Sequence, residues 1–199
     1  NSCYKRHTIC ISIMDDLKKY IYIKNLLSKS ERDLLFNYAK IYNVKNKSKK
    51  GFCKQTPLAE TLRHGDPVTD AIVWSRKKRI EKEANLKLIE TYSYWRLYKK
   101  FSSLKKHVDR KSCEITVSIN VKADLEWPLF IDDEKIIIEP GDGILYFGGK
   151  HWHWREEYQG DYALKLFLHY VLADGEFTEY KYDKRESLGM NNIEEPYAF

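Results

Sequence analysis

Apolar positions recur along this chain with two different periods, and the change between them falls near residue 90. In the first part, Leu34, Leu35, Tyr38 and Ala39 follow Ser28-Lys29-Ser30-Glu31 at helical spacing. A serine with a glutamate three residues later can satisfy two exposed backbone amides reciprocally, so a helix is predicted over about 28–41. Asn43 to Lys54 is rich in Lys, Asn and Ser, contains Gly51 and reads as a loop, and Gly65-Asp66-Pro67 reads as a turn. A second helix is predicted from Thr69 to Glu90, where Ile72, Val73, Ile80, Ala84, Leu86 and Ile89 are spaced among polar residues. After it the period drops to two. Tyr92-Ser93-Tyr94-Trp95-Arg96-Leu97-Tyr98 alternates and is rich in aromatics, as half-buried strands are. Cys113 to Val121 is β-branched at most odd positions and predicts another strand. Trp127 to Ile131 and Lys135 to Ile138 predict short strands around Asp132-Asp133, and Pro140-Gly141-Asp142-Gly143 predicts a turn leading into a strand at Ile144 to Phe147. Tyr162 to Leu172 is the last strong strand.

Helices followed by many short strands with tight turns point to an α+β, mainly β fold: a jelly roll with N-terminal helices packed on one sheet. At 199 residues, 43% hydrophobic and 14% aromatic, the chain can bury a core and is not of disordered type. One domain is expected, over residues 14–180. Residues 1–13 read as a tail outside the native domain, because Met14-Asp15-Asp16-Leu17 looks like an ordinary start. Residues 181–199 are polar, lack periodicity and read as a C-terminal extension.

Charge and cysteines narrow the function classes. The net charge of +6 is spread over Lys45 to Lys50, Arg76 to Arg79 and Lys99 to Lys106, a distribution expected of solvated faces. A nucleic-acid partner is therefore not required. Cys3, Cys10, Cys53 and Cys113 form no C-x-x-C pair, and a chain of this size needs no stapling, so reduced thiols in a cytoplasmic protein are expected. No apolar run approaches the roughly 18 residues of a membrane span.

The candidate chemistry lies in His107-Val108-Asp109. Residues i and i+2 of a strand share a face, so this imidazole and carboxylate can point the same way. A second imidazole from a later strand, His151 or His153, would complete two histidines and one carboxylate on one side of a metal. That set suits non-haem Fe(II), because it leaves positions open for oxygen and a co-substrate. The two later histidines are themselves at i, i+2 spacing, and periodicity does not separate them. Lys165 stands in the apolar run Ala163-Leu164-Lys165-Leu166-Phe167-Leu168. It either faces water from a sheet exposed on one side or holds an anion, because an unpaired buried charge is costly. His169 reads as a hydrogen-bonded core histidine, Asp142 as structural, and His7 and His64 as tail or loop residues without signal.

Over about Tyr20 to Asp174 the chain resembles the Fe(II)/2-oxoglutarate-dependent dioxygenases of the prolyl-4-hydroxylase-like branch. The matching pieces are Gly65-Asp66-Pro67, Tyr92 to Tyr98, His107 to Glu114, Pro140-Gly141-Asp142, His153-Trp154-Arg155-Glu156 and Phe167-Leu168-His169-Tyr170. The resemblance implies a double-stranded β-helix core and a mononuclear Fe(II) held by His107, Asp109 and His153. It favours His153 over His151 through Trp154-Arg155-Glu156. It also implies 2-oxoglutarate as co-substrate, with Lys165 on its far carboxylate, Arg155 and Arg96 as substitutes for that lysine, and Tyr98 as a hydroxyl donor to the same ligand. Lys165 stands two residues beyond the usual cation position, which here is Ala163. The implied reaction is hydroxylation with release of succinate and CO2, with ascorbate as a candidate reductant. The expected substrate is a peptidyl residue, proline first, or a free amino acid or small metabolite. The competing reading is a cupin-like barrel that binds a metal without oxidative chemistry; such a barrel has no need of the cation at Lys165.

Overall fold

A computed structural model of the protein describes residues 19–45, 51–53 and 56–190. The tail over 1–13, part of the loop predicted at 43–54 and residues 191–199 lie outside the described residues. In chain order the elements are β1 (Ile21–Ile23), α1 (Lys29–Lys45), β2 (Gly51–Cys53), β3 (Thr56–His64), α2 (Pro67–Ala84), β4 (Leu88–Lys99), β5 (Leu104–His107), β6 (Ile115–Ala123), β7 (Leu129–Ile131), β8 (Glu134–Ile136), β9 (Gly143–Phe147), β10 (His153–Arg155) and β11 (Tyr162–Leu172). The strands form a seven-stranded sheet in the order β1-β9-β6-β11-β4-β3-β2 and a four-stranded sheet in the order β5-β10-β7-β8. Every paired strand among the described residues runs antiparallel to its neighbour. This is the expected mainly β jelly roll, with both helices on the larger sheet.

The capping box forms as read. The Ser28 amide donates to Glu31 Oε2 at 2.8 Å and the Glu31 amide donates to Ser28 Oγ at 3.2 Å. Helix α1 runs four residues past its predicted end, into the stretch read as loop. Helix α2 starts earlier than predicted: Asp66 is its N-cap, accepting from the Val68 amide at 2.9 Å, and Pro67 takes the first turn, where a missing N–H costs nothing. It also ends earlier than predicted, at Asn85, which adopts a left-handed conformation (φ 52°). Leu86, Leu88 and Ile89 fit a helical period as well as a strand, so periodicity carried the prediction past the true end. The strand predicted at 113–121 begins only at Ile115, after a short 3-10 turn over Lys111–Cys113.

The larger sheet is two-faced in an uncommon sense. On β6, Ile115, Val117, Ile119 and Val121 pack under the helices with Leu35, Ala39, Val73 and Ile80, and on β11 Leu164, Leu166, Leu168 and Tyr170 do the same. The alternate positions point into the barrel. These are Thr116, Ser118 and Asn120 on β6, Lys165, Phe167 and His169 on β11, and Tyr92, Tyr94, Arg96 and Tyr98 on β4, and all are buried or partly buried. The apolar face thus meets the helices and a polar, aromatic face lines the barrel. Ile144 and Tyr146 on β9 meet Leu129, Ile131 and Ile136 of the smaller sheet and close the barrel with a second small core. Turn 140–143 is pinned as expected of structural residues: Asp142 accepts from Tyr22 Oη at 2.9 Å and from the Asn25 amide at 2.7 Å. Gly141 has φ 94°, and a Cβ there would meet Leu27 O at 2.6 Å, so both conformation and space require glycine.

Part of the stretch read as a C-terminal extension is built into the body. A 3-10 turn starting at Thr178, broken by a kink at Lys181, leads to Arg185, whose guanidinium pairs with buried Asp70 at 3.1 Å and donates to Thr91 O at 3.0 Å. Tyr182, Asp183 and Lys184 are all left-handed (φ 52°, 57° and 62°), a conformation that costs a non-glycine residue about 1 kcal/mol or more. None of this shows in the hydrophobic pattern, because the stretch is held by ion pairs and backbone hydrogen bonds.

Candidate metal and co-substrate site

His107 ends β5 and lies directly opposite His153 of β10 in the antiparallel register. Directly opposed residues on neighbouring strands share a face, which brings the two rings to 4.2 Å between centroids. Asp109 is two residues past His107, and its amide donates to Gly148 O at 2.8 Å, which turns the carboxylate toward both rings. Asp109 Oδ1 lies 3.6 Å from His107 Nε2 and 3.5 Å from His153 Nε2. One ligand atom from each of the three lies within 4.8 Å of the others.

The outer contacts set the tautomers. His107 Nδ1 faces Lys105 O at 2.7 Å and His153 Nδ1 faces His151 O at 3.0 Å. A carbonyl only accepts, so each Nδ1 carries a proton and each ring presents its Nε2 to Asp109 Oδ1. Two imidazole Nε2 atoms and a carboxylate oxygen converge, and this ligand set fits Fe(II). Burial alone would raise the Asp109 pKa, but hydrogen bonding with His107 and His153 and the electrostatic influence of His153 hold it well below the usual carboxylate range. The carboxylate's other oxygen accepts from Thr116 Oγ1 at 2.8 Å, and Thr116 lies 3.1 Å from His169 Nδ1. Burial pushes the His169 pKa down to about 4, so at neutral pH this ring is an uncharged prop behind the aspartate, the core histidine the sequence suggested.

His151 goes elsewhere. It pairs with Asp132 at 2.8 Å and is a quarter exposed. Periodicity could not separate the two histidines because both sit on one face of the chain; the register of β10 against β5 separates them.

A cavity of about 450 Å³ opens on the three groups, lined by Tyr94, Arg96, Tyr98, Tyr146 and Phe167 among others. Lys165 and Arg155 do not reach its surface. Lys165 is 1% exposed and donates to Asn120 Oδ1 at 3.0 Å. Arg155, 2% exposed, donates to Trp127 O and leaves Nε and one terminal nitrogen without a partner. Burial, then the Arg155 charge, lowers the Lys165 pKa well below that of an ordinary lysine. Burial brings Arg155 down to about 10 against the opposing pull of Tyr98 and Tyr146, both of which line the cavity. No carboxylate contributes to either shift. Two basic side chains are thus buried near the cavity, and among the described residues no acid is paired with either. Arg96 stands opposite Lys165 across β4 and β11 and does line the cavity. Tyr98 lies between these groups, 3.5 Å from Arg96 through its hydroxyl and edge-on to Trp127 at 4.7 Å.

No family model and no curated protein matches this chain by sequence. Solved structures do match in shape. A viral collagen prolyl hydroxylase from Paramecium Bursaria Chlorella virus-1, in complex with 2OG, aligns over 78% of this chain and 97% of its own at TM-score 0.60 and 17% identity. A Pseudomonas putida prolyl-4-hydroxylase aligns over 81% and 98% at TM-score 0.62 and 14% identity. HygX from Streptomyces hygroscopicus, with nickel, 2-oxoglutarate and hygromycin B bound, aligns over 81% and 86% at TM-score 0.60 and 11% identity. The chain has the fold of the 2-oxoglutarate oxygenases.

Within this oxygenase fold, two supports of the cluster carried no sequence signal. One is Thr116, an ordinary inward residue of β6. The other is Gly148, where a Cβ would lie 2.4 Å from Asp109 Oδ2, 2.6 Å from Cys113 O and 2.8 Å from Thr116 Oγ1. The carbonyl is backbone and cannot swing aside, so the carboxylate must give. Gly148→Ala is expected to weaken metal binding by about 10–100-fold, the usual cost of disturbing a ligand's support, as read by metal titration of the purified variant. His64 also has more to do than its loop-like sequence context indicated: it ends β3 and binds Asp183 at 3.0 Å.

Among the described residues no helix is long and apolar enough to cross a membrane.

Proposed function

We propose that this chain is an Fe(II)- and 2-oxoglutarate-dependent dioxygenase that hydroxylates an unactivated C–H bond of a peptidyl residue, proline first, or of a free amino acid or small metabolite. What supports this reading is the pairing of two features in one barrel: three convergent ligand atoms on His107, Asp109 and His153, and two buried basic side chains, Lys165 and Arg155, with no acid paired to either among the described residues. A cupin-like barrel that only binds a metal explains the first feature and gives no reason for the second.

In this reading His107, Asp109 and His153 would hold the iron. Iron and 2-oxoglutarate supply the oxidising power that places one atom of O2 on the substrate carbon, with succinate and CO2 released. The chain's own work is to bind and orient. Lys105 O and His151 O fix both histidine tautomers. Thr116 and Gly148 hold the carboxylate's angle. Lys165, buried with Arg155 behind the cavity wall, would turn from Asn120 to pair with the far carboxylate of 2-oxoglutarate, beside the Tyr98 hydroxyl that lines the cavity. The apolar and aromatic wall limits water around the reacting carbon.

Anaerobic titration of the Fe(II)-loaded protein with 2-oxoglutarate tests this directly. A weak visible charge-transfer band is expected on chelation; iron bound with no such band would leave the metal-binding barrel as the correct reading.

A further inference from the structure

The cavity carries a second charged feature at the end away from Lys165. Arg110 follows Asp109 and lines the same cavity. Its guanidinium lies over the Tyr92 ring, 5.0 Å from the centroid, and donates to Asp183 Oδ2 at 2.7 Å. Held on two sides, the side chain is still 42% exposed. Asp183, 3% exposed at its side chain, also binds His64 Nε2 at 3.0 Å. It is delivered by the three left-handed residues Tyr182 to Lys184 and anchored by the Arg185–Asp70 pair. Register separates this end from the co-substrate end. Tyr92 lies opposite His169, whereas Arg96 lies opposite Lys165, four residues or about 13 Å along β11. Between the two ends run Tyr94, Phe167 and His169, an aromatic shelf along the wall. Among the described residues, Asp109 is the one acid that lines the cavity, and it belongs to the metal cluster.

We propose that Arg110, positioned by Asp183, is the contact for an anionic group on the primary substrate. The substrate's charged end meets Arg110 at the rim, its body lies on the aromatic shelf, and its reacting carbon reaches the metal cluster. This assignment rests on the oxygenase reading and adds a substrate class to it: molecules that carry a carboxylate or phosphate beside an apolar body. A guanidinium that is fixed yet exposed is pre-ordered for this, because little side-chain freedom is left to lose on binding. Asp183 acts through Arg110 and is a positioning residue.

The test uses the full chain loaded with Fe(II) and 2-oxoglutarate, reading succinate release. The probes are free amino acids and short peptides bearing an acidic side chain or a free C-terminal carboxylate, each beside its amide. Acids are expected to raise succinate release above the substrate-free rate and their amides are not; whether free acids or peptides respond tells the two sources of the anion apart. For a responding acid, Arg110→Gln is expected to raise KM tenfold or more, with Arg110→Lys losing less. Asp183→Asn is expected to raise KM with kcat little changed, and Asp183→Glu to recover part of the loss. Binding of the same acid to protein loaded with Mn(II) and 2-oxoglutarate without oxygen is expected to weaken in parallel. Amides as effective as acids, no acid that stimulates, or an Arg110→Gln variant with unchanged KM and Kd would overturn the assignment. So would an Asp183→Asn variant that loses only thermal stability. A missing 2-oxoglutarate charge-transfer band in the unsubstituted protein marks instead the failure of the oxygenase reading, and the anion subsite falls with it.

Discussion

Asp109→Ala is expected to abolish 2-oxoglutarate turnover and to cut metal affinity by more than about 100-fold, since disturbing a ligand's support alone costs about 10–100-fold. The size of the effect follows from the charge arrangement. Asp109 is the cluster's one carboxylate, and it is kept ionised by the two rings it faces. Removing it leaves two Nε2 lone pairs with no negative charge to offset a divalent ion. His107→Ala is expected to do the same by opening the cluster on the β5 side, where no other described histidine is in register with His153. Metal titration and succinate release are the measurements. Full turnover in either variant would remove the site from consideration, and loss of turnover with metal affinity intact would restrict these residues to chemistry rather than binding.

Lys165→Met should raise KM for 2-oxoglutarate by about 10–100-fold, the range of a lost hydrogen bond to a charged group in a buried site. It should do so without destabilising the ligand-free protein as a core mutation would, because burial already disfavours the charged form of Lys165 before the diacid arrives. Denaturation midpoints with and without 2-oxoglutarate separate the two effects. Arg96→Met is the control that decides which cation holds the far carboxylate: a large KM effect there with none at Lys165 would move the assignment to Arg96. The same pairing has a pH signature. Burial first, then Arg155, depresses Lys165 in the free protein, so it gives up its proton at a lower pH than an ordinary lysine. A bound carboxylate raises that value again, so binding takes up a proton. The affinity for 2-oxoglutarate is therefore fully present below the depressed pKa and falls as pH rises through the interval between the free and bound values. An affinity independent of pH through that interval would show that Lys165 is not the partner.

Much of the fold and part of the site are legible in the order of residues alone. The capping box at Ser28 and Glu31, the alternation from Tyr92 to Tyr98 and the long strand at 162–172 are local patterns whose physics lies within a few residues, and each forms where it was read. The pair His107 and Asp109 is legible for the same reason, since i and i+2 on an extended chain share a face. Helix ends were less legible: Leu86 to Ile89 satisfies either period, and the stop at Asn85 depends on a left-handed backbone rather than on apolar spacing.

The amino-acid order by itself determined which residues could be ligands, which segments are extended, and that a cation sits in an apolar strand. Spacing left two histidines open and the resemblance pointed to His153; the pairing of β10 against β5 is what brings that histidine to Asp109. Only the tertiary structure decided that the polar side of β6, β11 and β4 lines the barrel while the apolar side meets the helices. The same holds for Gly148 making room for the carboxylate, and for Asp183, more than seventy residues away, holding Arg110 at the rim. The reason is common to all of these: strand period and capping are set by neighbours in the chain, whereas register, inward facing and close backbone approach arise from contacts between segments far apart in it, whose pairing no local spacing encodes.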